Sequence, residues 1–422
     1  MALYAFDGTW CEDEPEPGKD SNVVKFKSAY RGTCEYIEGV GTRFGALGCM
    51  LGGLFGTGGK TRIEEMYEKL IVNWQNGDHD IDIIGFSRGA ALAVHFSNVI
   101  SKVGIRVDNA EIARPEIRFL GLWDIVGSFG VPINIVLKFQ EINIGYDLNA
   151  SENVLHCFHA MALNERRQTF QVTRLDTSNQ SNNIEELWFR GVHSDVGGGN
   201  ENEALSNIPL QWIMDKGELC GLPIDESDIR SVASEIDATA AIGENLDLIK
   251  NPRRTIYPSD QFHPSAQVKT LGIGESASFK VHAKEQYSWS GVQVESGGYY
   301  IFIISDGQKW KDASIECGPD GWRTEDLPWY KEKVFEFLES KRRCPNANWF
   351  ELIGAISDED NNFFRIGNGG EQLTYQAQED GELFLFANDL RTTYGNNHGE
   401  IKVVVRRASG PGESSLKNCE EV

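Results

Sequence analysis

Gly85-Phe86-Ser87-Arg88-Gly89 spaces a serine between two glycines as G-x-S-x-G, the pattern in which a sharp strand-to-helix turn presents a hydroxyl for nucleophilic attack. Such a pentapeptide is weak evidence alone, and its neighbours decide what it does. Ile81 to Ile84 reads as a buried strand and Ala90 to Val103 as a helix, so the serine falls at their junction. There Ser87 Oγ points off the carboxyl edge of a sheet, and the Arg88 N–H at the helix N-terminus faces a developing oxyanion. The competing account is a tight turn whose serine caps a helix.

A serine nucleophile needs a base, and the chain has eight histidines. His79 precedes the serine, His95 lies on the helix behind it, His156 and His159 sit in a helix-like run, and His282 and His398 belong to the strand-rich second half. His193 and His263 remain. His193 follows the strand Glu186 to Val192 on the glycine-rich stretch Gly191-Val192-His193-Ser194-Asp195-Val196-Gly197-Gly198-Gly199, at a strand's carboxyl end where a base belongs. Its alternative role is a hydrogen bond to Asp195 that steadies the loop. His263, in Asp260-Gln261-Phe262-His263-Pro264-Ser265, is the other candidate base, or else part of a surface turn. Asp124 ends the strand Ile117 to Trp123, so Ser87, Asp124 and His193 follow the order Ser, Asp, His of alpha/beta hydrolases. Asp195 competes as the acid that orients the imidazole, and Asp124 is otherwise an N-cap. Gly8 and Thr9, in the loop Phe6-Asp7-Gly8-Thr9-Trp10 after the first strand, complete the oxyanion hole with Arg88 or simply form a turn.

These residues need a parallel sheet beneath them. Up to about residue 268, the strand-like runs Ala2 to Phe6, Ile81 to Ile84, Ile117 to Trp123 and Glu186 to Val192 alternate with the helical patterns Arg62 to Trp74, Ala90 to Val103 and Leu205 to Lys216. That alternation predicts an α/β fold with a doubly wound, mostly parallel sheet. From about residue 270 the texture changes to strands only (Ala277 to Val281, Tyr299 to Ile304, Phe350 to Ile356, Glu382 to Ala387, Glu400 to Val405), which predicts an antiparallel β-sandwich. The expected organisation is a catalytic domain over residues 1–268, the sandwich over 269–408 and a polar, frayed tail over 409–422.

The 422 residues are 40% hydrophobic and 24% charged, the composition of a folded globular protein. The net charge of -23 repels phosphate backbones and excludes nucleic acid as a partner. It also disfavours adsorption to anionic lipid, so membrane contact requires apolar burial or a specific site. The most apolar window, Phe44 to Gly59, holds seven glycines and is too short to span a bilayer; it reads as a mobile lid touching acyl chains or as a loop packed over the sheet. No secretory signal is read at the N-terminus. The cysteines form no CxxC pair, which predicts neither a zinc site nor a dense disulfide framework and fits a reducing compartment.

Phe6-Asp7-Gly8-Thr9-Trp10, Gly39-Val40-Gly41-Thr42, Gly85-Phe86-Ser87-Arg88-Gly89-Ala90, Leu122-Trp123-Asp124-Ile125-Val126-Gly127-Ser128, Gly191 to Gly199 and His263-Pro264-Ser265 follow one another over residues 1–268. Together they resemble the motifs of the alpha/beta-hydrolase family that includes the GxSxG-type lipase effectors of type VI secretion. Ile125 departs from the threonine more usual after that aspartate. The resemblance implies a Ser87, Asp124, His193 phospholipase or lipase acting on glycerophospholipid acyl esters. It further implies synthesis in the cytoplasm without a signal peptide, secretion by a signal-independent apparatus into the periplasm of a target cell, and secretion-apparatus and immunity proteins as partners.

In the second half, Phe386-Ala387-Asn388-Asp389-Leu390-Arg391-Thr392-Thr393-Tyr394-Gly395-Asn396-Asn397-His398-Gly399 gathers carboxylate, hydroxyl and amide oxygens on one loop. Hard oxygens so placed suit Ca²⁺, and they equally suit an ordinary hairpin loop. With Trp289-Ser290-Gly291-Val292, Trp310-Lys311-Asp312, Cys317-Gly318-Pro319-Asp320-Gly321 and Leu352-Ile353-Gly354-Ala355-Ile356, the loop resembles the calcium-dependent galactophilic bacterial lectin family. The resemblance implies calcium held by Asp389, Thr393, Asn396 and Asn397, with a backbone carbonyl near Trp310, and a glycan partner. The predicted function is therefore a serine ester hydrolase with a lectin-like targeting domain and no cofactor for catalysis. The alternatives are a carbohydrate esterase, or a sugar-binding toxin or adhesin on an inactive hydrolase scaffold.

Overall fold

The computed structural model of the protein describes residues 1–8, 20–39, 58–107, 110–127, 150–167, 170–175, 183–200, 203–243, 253–358 and 362–419. The chain divides into two compact units, one of Met1–Ala238 with Ile242–Ala266, the other of Thr239–Ala241 with Gln267–Val422.

The first unit is built on strands β1 (Ala2–Phe6), β2 (Thr33–Ile37), β3 (Ile81–Phe86), the hairpin β4 (Ile105–Val107) and β5 (Ala110–Ala113), β6 (Ile117–Trp123), β7 (His156–Ala162), β8 (Asn183–Phe189) and β9 (Gln261–Phe262). Seven of these form one sheet in the order β2-β1-β3-β6-β7-β8-β9, with every neighbouring pair parallel. Strands β1 and β3 are buried at every residue, as an α/β sheet covered on both faces requires, and their near-unbroken apolar runs reflect it. Helices α1 (Asn22–Ala29), α2 (Gly58–Gln75), α3 (Ser87–Val103), α4 (His193–Gly197), α5 (Asn207–Leu219) and α6 (Glu226–Ser234) accompany the sheet. Alternate residues of β6 face opposite sides. Leu120 and Leu122 share a core with Met66 and Leu70 of α2 and Ala93 and Phe96 of α3, while Phe119 and Trp123 meet Phe26 of α1. The arrangement is an α/β fold on one parallel, seven-stranded sheet.

Two local expectations for this unit are corrected. His156 and His159 lie in strand β7, not a helical run, because His159 finds its partner, Glu186, on the adjacent strand β8. That internal pairing also lets acidic residues into β8, which runs over Asn183–Phe189 and stops before Gly191, where φ is +118°. The strand expected over Glu186 to Val192 thus sits three residues earlier. Residues 44–57 of the expected lid lie outside the described residues; Gly58 and Gly59 open α2.

In the second unit, β10 (Lys269–Thr270), β11 (Ser276–His282), β12 (Ser288–Val294), β13 (Tyr299–Ile304), β14 (Trp310–Asp312), β15 (Ile315–Cys317), β16 (Leu352–Ile356), β17 (Phe363–Arg365), β18 (Leu373–Gln376), β19 (Gly381–Ala387), β20 (Asn397–His398), β21 (Glu400–Ala408) and β22 (Ser414–Ser415) follow in order. They form the sheets β10-β12-β19-β16-β17, β11-β21-β13-β18-β22 and β15-β14-β20. Phe279, Phe302 and Val403 from one five-stranded sheet share a core with Val292, Leu352 and Leu385 from the other.

The unit is not made of strands only. Helix α7 (Trp329–Glu339) starts after Pro328, which has no amide proton to leave unpaired at a helix start. Its Phe335 packs edge-on against Trp322 and Trp349 at 5.3 Å each. The expected frayed tail is tied down through residue 419: β22 pairs with β18, Cys419 N donates to Phe363 O, and Cys419 is disulfide-bonded to buried Cys344. A reducing compartment was expected from cysteine spacing. This pair is invisible to spacing because 75 residues separate its members.

Candidate active site

Strand β3 delivers Phe86 to the first turn of α3, and Ser87 at the turn has φ +59°, a left-handed backbone that costs energy for a non-glycine residue. The flanking glycines are there for closeness. A Cβ on Gly89 would lie 2.3 Å from Phe6 O, and one on Gly85 would lie 2.7 Å from Ala90 Cα, so neither position admits a side chain without moving backbone. Asp124, at the end of β6, also has a left-handed backbone, with φ +42°. Val126 N donates to Ser87 O at 3.2 Å and joins the two turns.

His193 is the first residue of α4, two residues after Gly191, whose φ is +118°. Its Nε2 is 2.8 Å from Ser87 Oγ and its Nδ1 is 2.6 Å from Asp124 Oδ2. The imidazole lies against Phe86 and Phe170, with ring centroids at 4.6 and 4.8 Å, and all three polar residues are buried. Burial pushes the His193 imidazole below its ordinary pKa, Arg254 adds to that depression, and the Asp124 carboxylate opposes it. Burial alone would raise the Asp124 carboxyl, but Arg254 and His193 outweigh it and hold the carboxyl below the usual carboxylate range.

Asp195 takes a different place. Its Oδ2 accepts from Val192 N at 2.9 Å and Gly243 N at 2.8 Å, and its Oδ1 accepts from Asn200 at 2.6 Å. It thus fastens the start of α4 and leaves the imidazole to Asp124. His263 stacks on Phe189 at 4.6 Å and has Ser265 Oγ 3.0 Å from its Nδ1; burial lowers its pKa. Arg88 follows Ser87 in the first turn of α3, where backbone N–H groups point off the helix end. Gly8 is beside the serine, since a Cβ there would lie 3.4 Å from Ser87 Cβ. Its N–H, however, donates to Asp7 Oδ1 at 2.7 Å, so the expected oxyanion donor is turned to a carboxylate. Thr9 lies outside the described residues.

Three supports carried no sequence signal. Arg254 grips Asp124 through two nitrogens, Nη1 to Oδ1 at 2.6 Å and Nη2 to Oδ2 at 2.9 Å. Glu165 Oε2 accepts from His193 N at 3.1 Å. His159 Nε2 accepts from Ile125 N at 3.2 Å while its Nδ1 faces Glu186 at 2.8 Å, anchoring the strained turn at Asp124. None belongs to a spaced motif.

In the second unit, Asp389 and Asn397 are buried together, with Asn397 Nδ2 donating to Asp389 Oδ2 at 3.0 Å and to Ala283 O at 3.2 Å. Asn397 Oδ1 is buried with no hydrogen-bond partner among the described residues. Thr393 Oγ1 donates to Leu390 O at 2.9 Å, and Asn396 N donates to Thr393 O at 3.1 Å. Asp312 stands opposite Asn397 in the β14–β20 pairing; burial and then the Asp389 charge push its carboxyl up to about 6. Two buried carboxylates and an unsatisfied amide oxygen form a donor set that fits a hard cation. Asp312 is the member that sequence spacing did not single out. Among the described residues no helix is long and apolar enough to cross a membrane.

Among solved structures, an uncharacterized protein from Pseudomonas aeruginosa is 22% identical, with 56% of this chain and 48% of that one covered and a TM-score of 0.38. The Tle1 effector bound to the VgrG spike of the type 6 secretion system is 16% identical, covering 96% of this chain and 69% of that one, with a TM-score of 0.36. The EclA N-terminal domain, a PllA-like lectin, is 23% identical, covering 31% of this chain and 95% of that one, with a TM-score of 0.23. This chain therefore spans about half the length of the first of these. No curated protein matches. The catalytic domain of Tle1-like type VI secretion phospholipase effectors matches over residues 3–114 and 106–216, together just over half of the 422 residues. The chain belongs to the family of Tle1-like phospholipase effectors of type VI secretion.

Proposed function

We propose that the protein is a serine hydrolase that cleaves acyl esters of glycerophospholipids, with Ser87 as nucleophile, His193 as general base and acid, and Asp124 as the acid that orients the imidazole. The observation that carries the reading is the unbroken run from Ser87 Oγ through both nitrogens of His193 to Asp124, at 2.8 and 2.6 Å. Ser87 Oγ attacks the ester carbonyl carbon while its proton passes to His193 Nε2, and Nδ1–H stays donated to Asp124. As the tetrahedral species collapses, His193 returns the proton to the departing alkoxide and leaves an acyl-serine. Water then repeats the sequence and releases the fatty acid. The Arg88 N–H is the proposed oxyanion donor, together with Thr9. Gly8 contributes close approach, because its N–H is held by Asp7.

The second unit is proposed as a lectin-like sandwich that binds a glycan through calcium, the cation being held by Asp389, Thr393, Asn396 and Asn397, joined by Asp312. Calcium there supplies a positive centre for sugar hydroxyls and neutralises the paired carboxylates. Family membership supports the remaining proposals: a secretion-apparatus component as carrier, delivery to a target cell's periplasm, and an immunity protein in the producer. A panel of phospholipids, lysophospholipids and acetylated saccharides, with and without calcium, tests the substrate. Fatty-acid release from phospholipid supports the proposal, whereas deacetylation of saccharides alone replaces it with a carbohydrate esterase. Sugar binding without hydrolysis of any ester replaces it with an inactive scaffold.

A further inference from the structure

Arg254 stands out among the charged residues around the triad. It is buried, and it comes from a loop far from the G-x-S-x-G turn in sequence. One guanidinium nitrogen bonds Asp124 Oδ1 and Ala162 O, at 2.6 and 2.7 Å. The other bonds Asp124 Oδ2 at 2.9 Å and also Phe170 O. Two parallel N–H···O bonds to one carboxylate fix its orientation as well as its charge. Ala162 N adds a second donor to Oδ1 at 2.9 Å, which leaves Oδ2 as the oxygen that meets the imidazole.

We infer that Arg254 is a positioning residue of the triad, which aims Asp124 Oδ2 at His193 and, by its charge, sets the lower pH limit of the reaction. The inference rests on the serine-hydrolase reading above. The base must be neutral to accept the serine proton. A buried carboxylate with no other partner would favour imidazolium and so hold the base protonated into the working pH range. A fixed cation on the far side of that carboxylate cancels part of its pull. The charged groups facing His193 among the described residues are few. Asp124 and Glu165 favour the protonated ring and Arg254 disfavours it. Glu165 is itself paired with Arg167 at 2.7 Å. Asp195, on the same helix as His193, is turned to Val192 N and Gly243 N.

The test is the rate at which a fluorophosphonate phosphonylates Ser87, followed by intact mass from pH 4 to 9. This probe forms the Ser87 Oγ–P bond, expels fluoride, passes the serine proton to His193 and needs no knowledge of the natural substrate. In Arg254→Met the acid limb of the profile is expected to rise by about one pH unit, so that labelling on the acid side falls about tenfold. In Arg254→Lys the charge is kept and the fork is lost, so the limb is expected to stay within about 0.3 units while the plateau rate falls. A limb in Arg254→Met that matches wild type overturns the inference. Should Arg254→Met not fold, Arg254→Lys decides alone: an unmoved limb with a lowered plateau supports the inference, and a limb displaced by about one unit overturns it. Failure of the underlying reading looks different, because wild type would then remain unlabelled at every pH or Ser87→Ala would label equally well.

Discussion

Reducing the Cys344–Cys419 disulfide would weaken the second unit while leaving intact the ester hydrolysis proposed for the first. The bond closes a loop of 75 residues, and chain entropy gives such a loop about 15 cal/mol/K of denatured-state restriction, or about 4.5 kcal/mol at room temperature. Both sulfurs lie in an apolar cluster with Ile353, Phe363 and Phe386, so their chain segments remain packed when the bond is cut and the loss falls on the unfolded-state side. The second unit has roughly 160 residues, for which about 4.5 kcal/mol corresponds to about 10–15 °C in unfolding midpoint. Calorimetry of wild type and Cys344→Ala/Cys419→Ala measures that midpoint, and ester hydrolysis at 25 °C measures the first unit. The first unit's cysteines among the described residues are free thiols, so its activity should be unchanged. A midpoint shift below about 3 °C, or an equal loss of hydrolytic rate, would refute the reasoning. A bond of this kind persists in an oxidising compartment such as the bacterial periplasm.

Asp124→Asn keeps the shape of the acid but removes the charge that faces His193 Nδ1 and pairs with Arg254. Hydrolysis is expected to fall about 10⁴-fold, and stability by about 3 kcal/mol because the Arg254 charge is left buried; enzyme kinetics and urea unfolding check the two. Gly89→Ala puts a methyl 2.3 Å from Phe6 O, so a loss of about 1–3 kcal/mol in urea unfolding and at least tenfold in kcat/KM is expected. Calcium at millimolar concentration should raise the second unit's unfolding midpoint in calorimetry, and Asp389→Ala should abolish that rise. An equal rise in the variant would count against the proposed ligands.

How much of this was legible beforehand follows from what kind of contact each feature depends on. Strands β3, β6 and β13 and helix α3 declare themselves through unbroken apolar runs or regular spacing, and glycines at 85 and 89 mark the turn between β3 and α3. Asp124 and His193 are readable because each follows the carboxyl end of a strand, and chain order then does the work of geometry. Residues that act across long sequence gaps leave no such trace. Arg254 reaches Asp124 over 130 positions, and Asp312 meets Asn397 only through the β14–β20 pairing. Strand β7 misleads in the same way, because His156 and His159 look helical until Glu186 on the next strand explains why a buried histidine is tolerated. Helix α7 escapes notice because its packing is against tryptophans from separate segments, and the Cys344–Cys419 pair because no local spacing encodes it.

The most direct test of the central claim is fatty-acid release from phosphatidylethanolamine and phosphatidylglycerol vesicles by the full chain and by Ser87→Ala at matched concentration. The account predicts steady release by the native protein and at least a 10³-fold loss in the variant, with unchanged thermal unfolding. Equal release by both proteins would contradict the assignment of Ser87 as nucleophile.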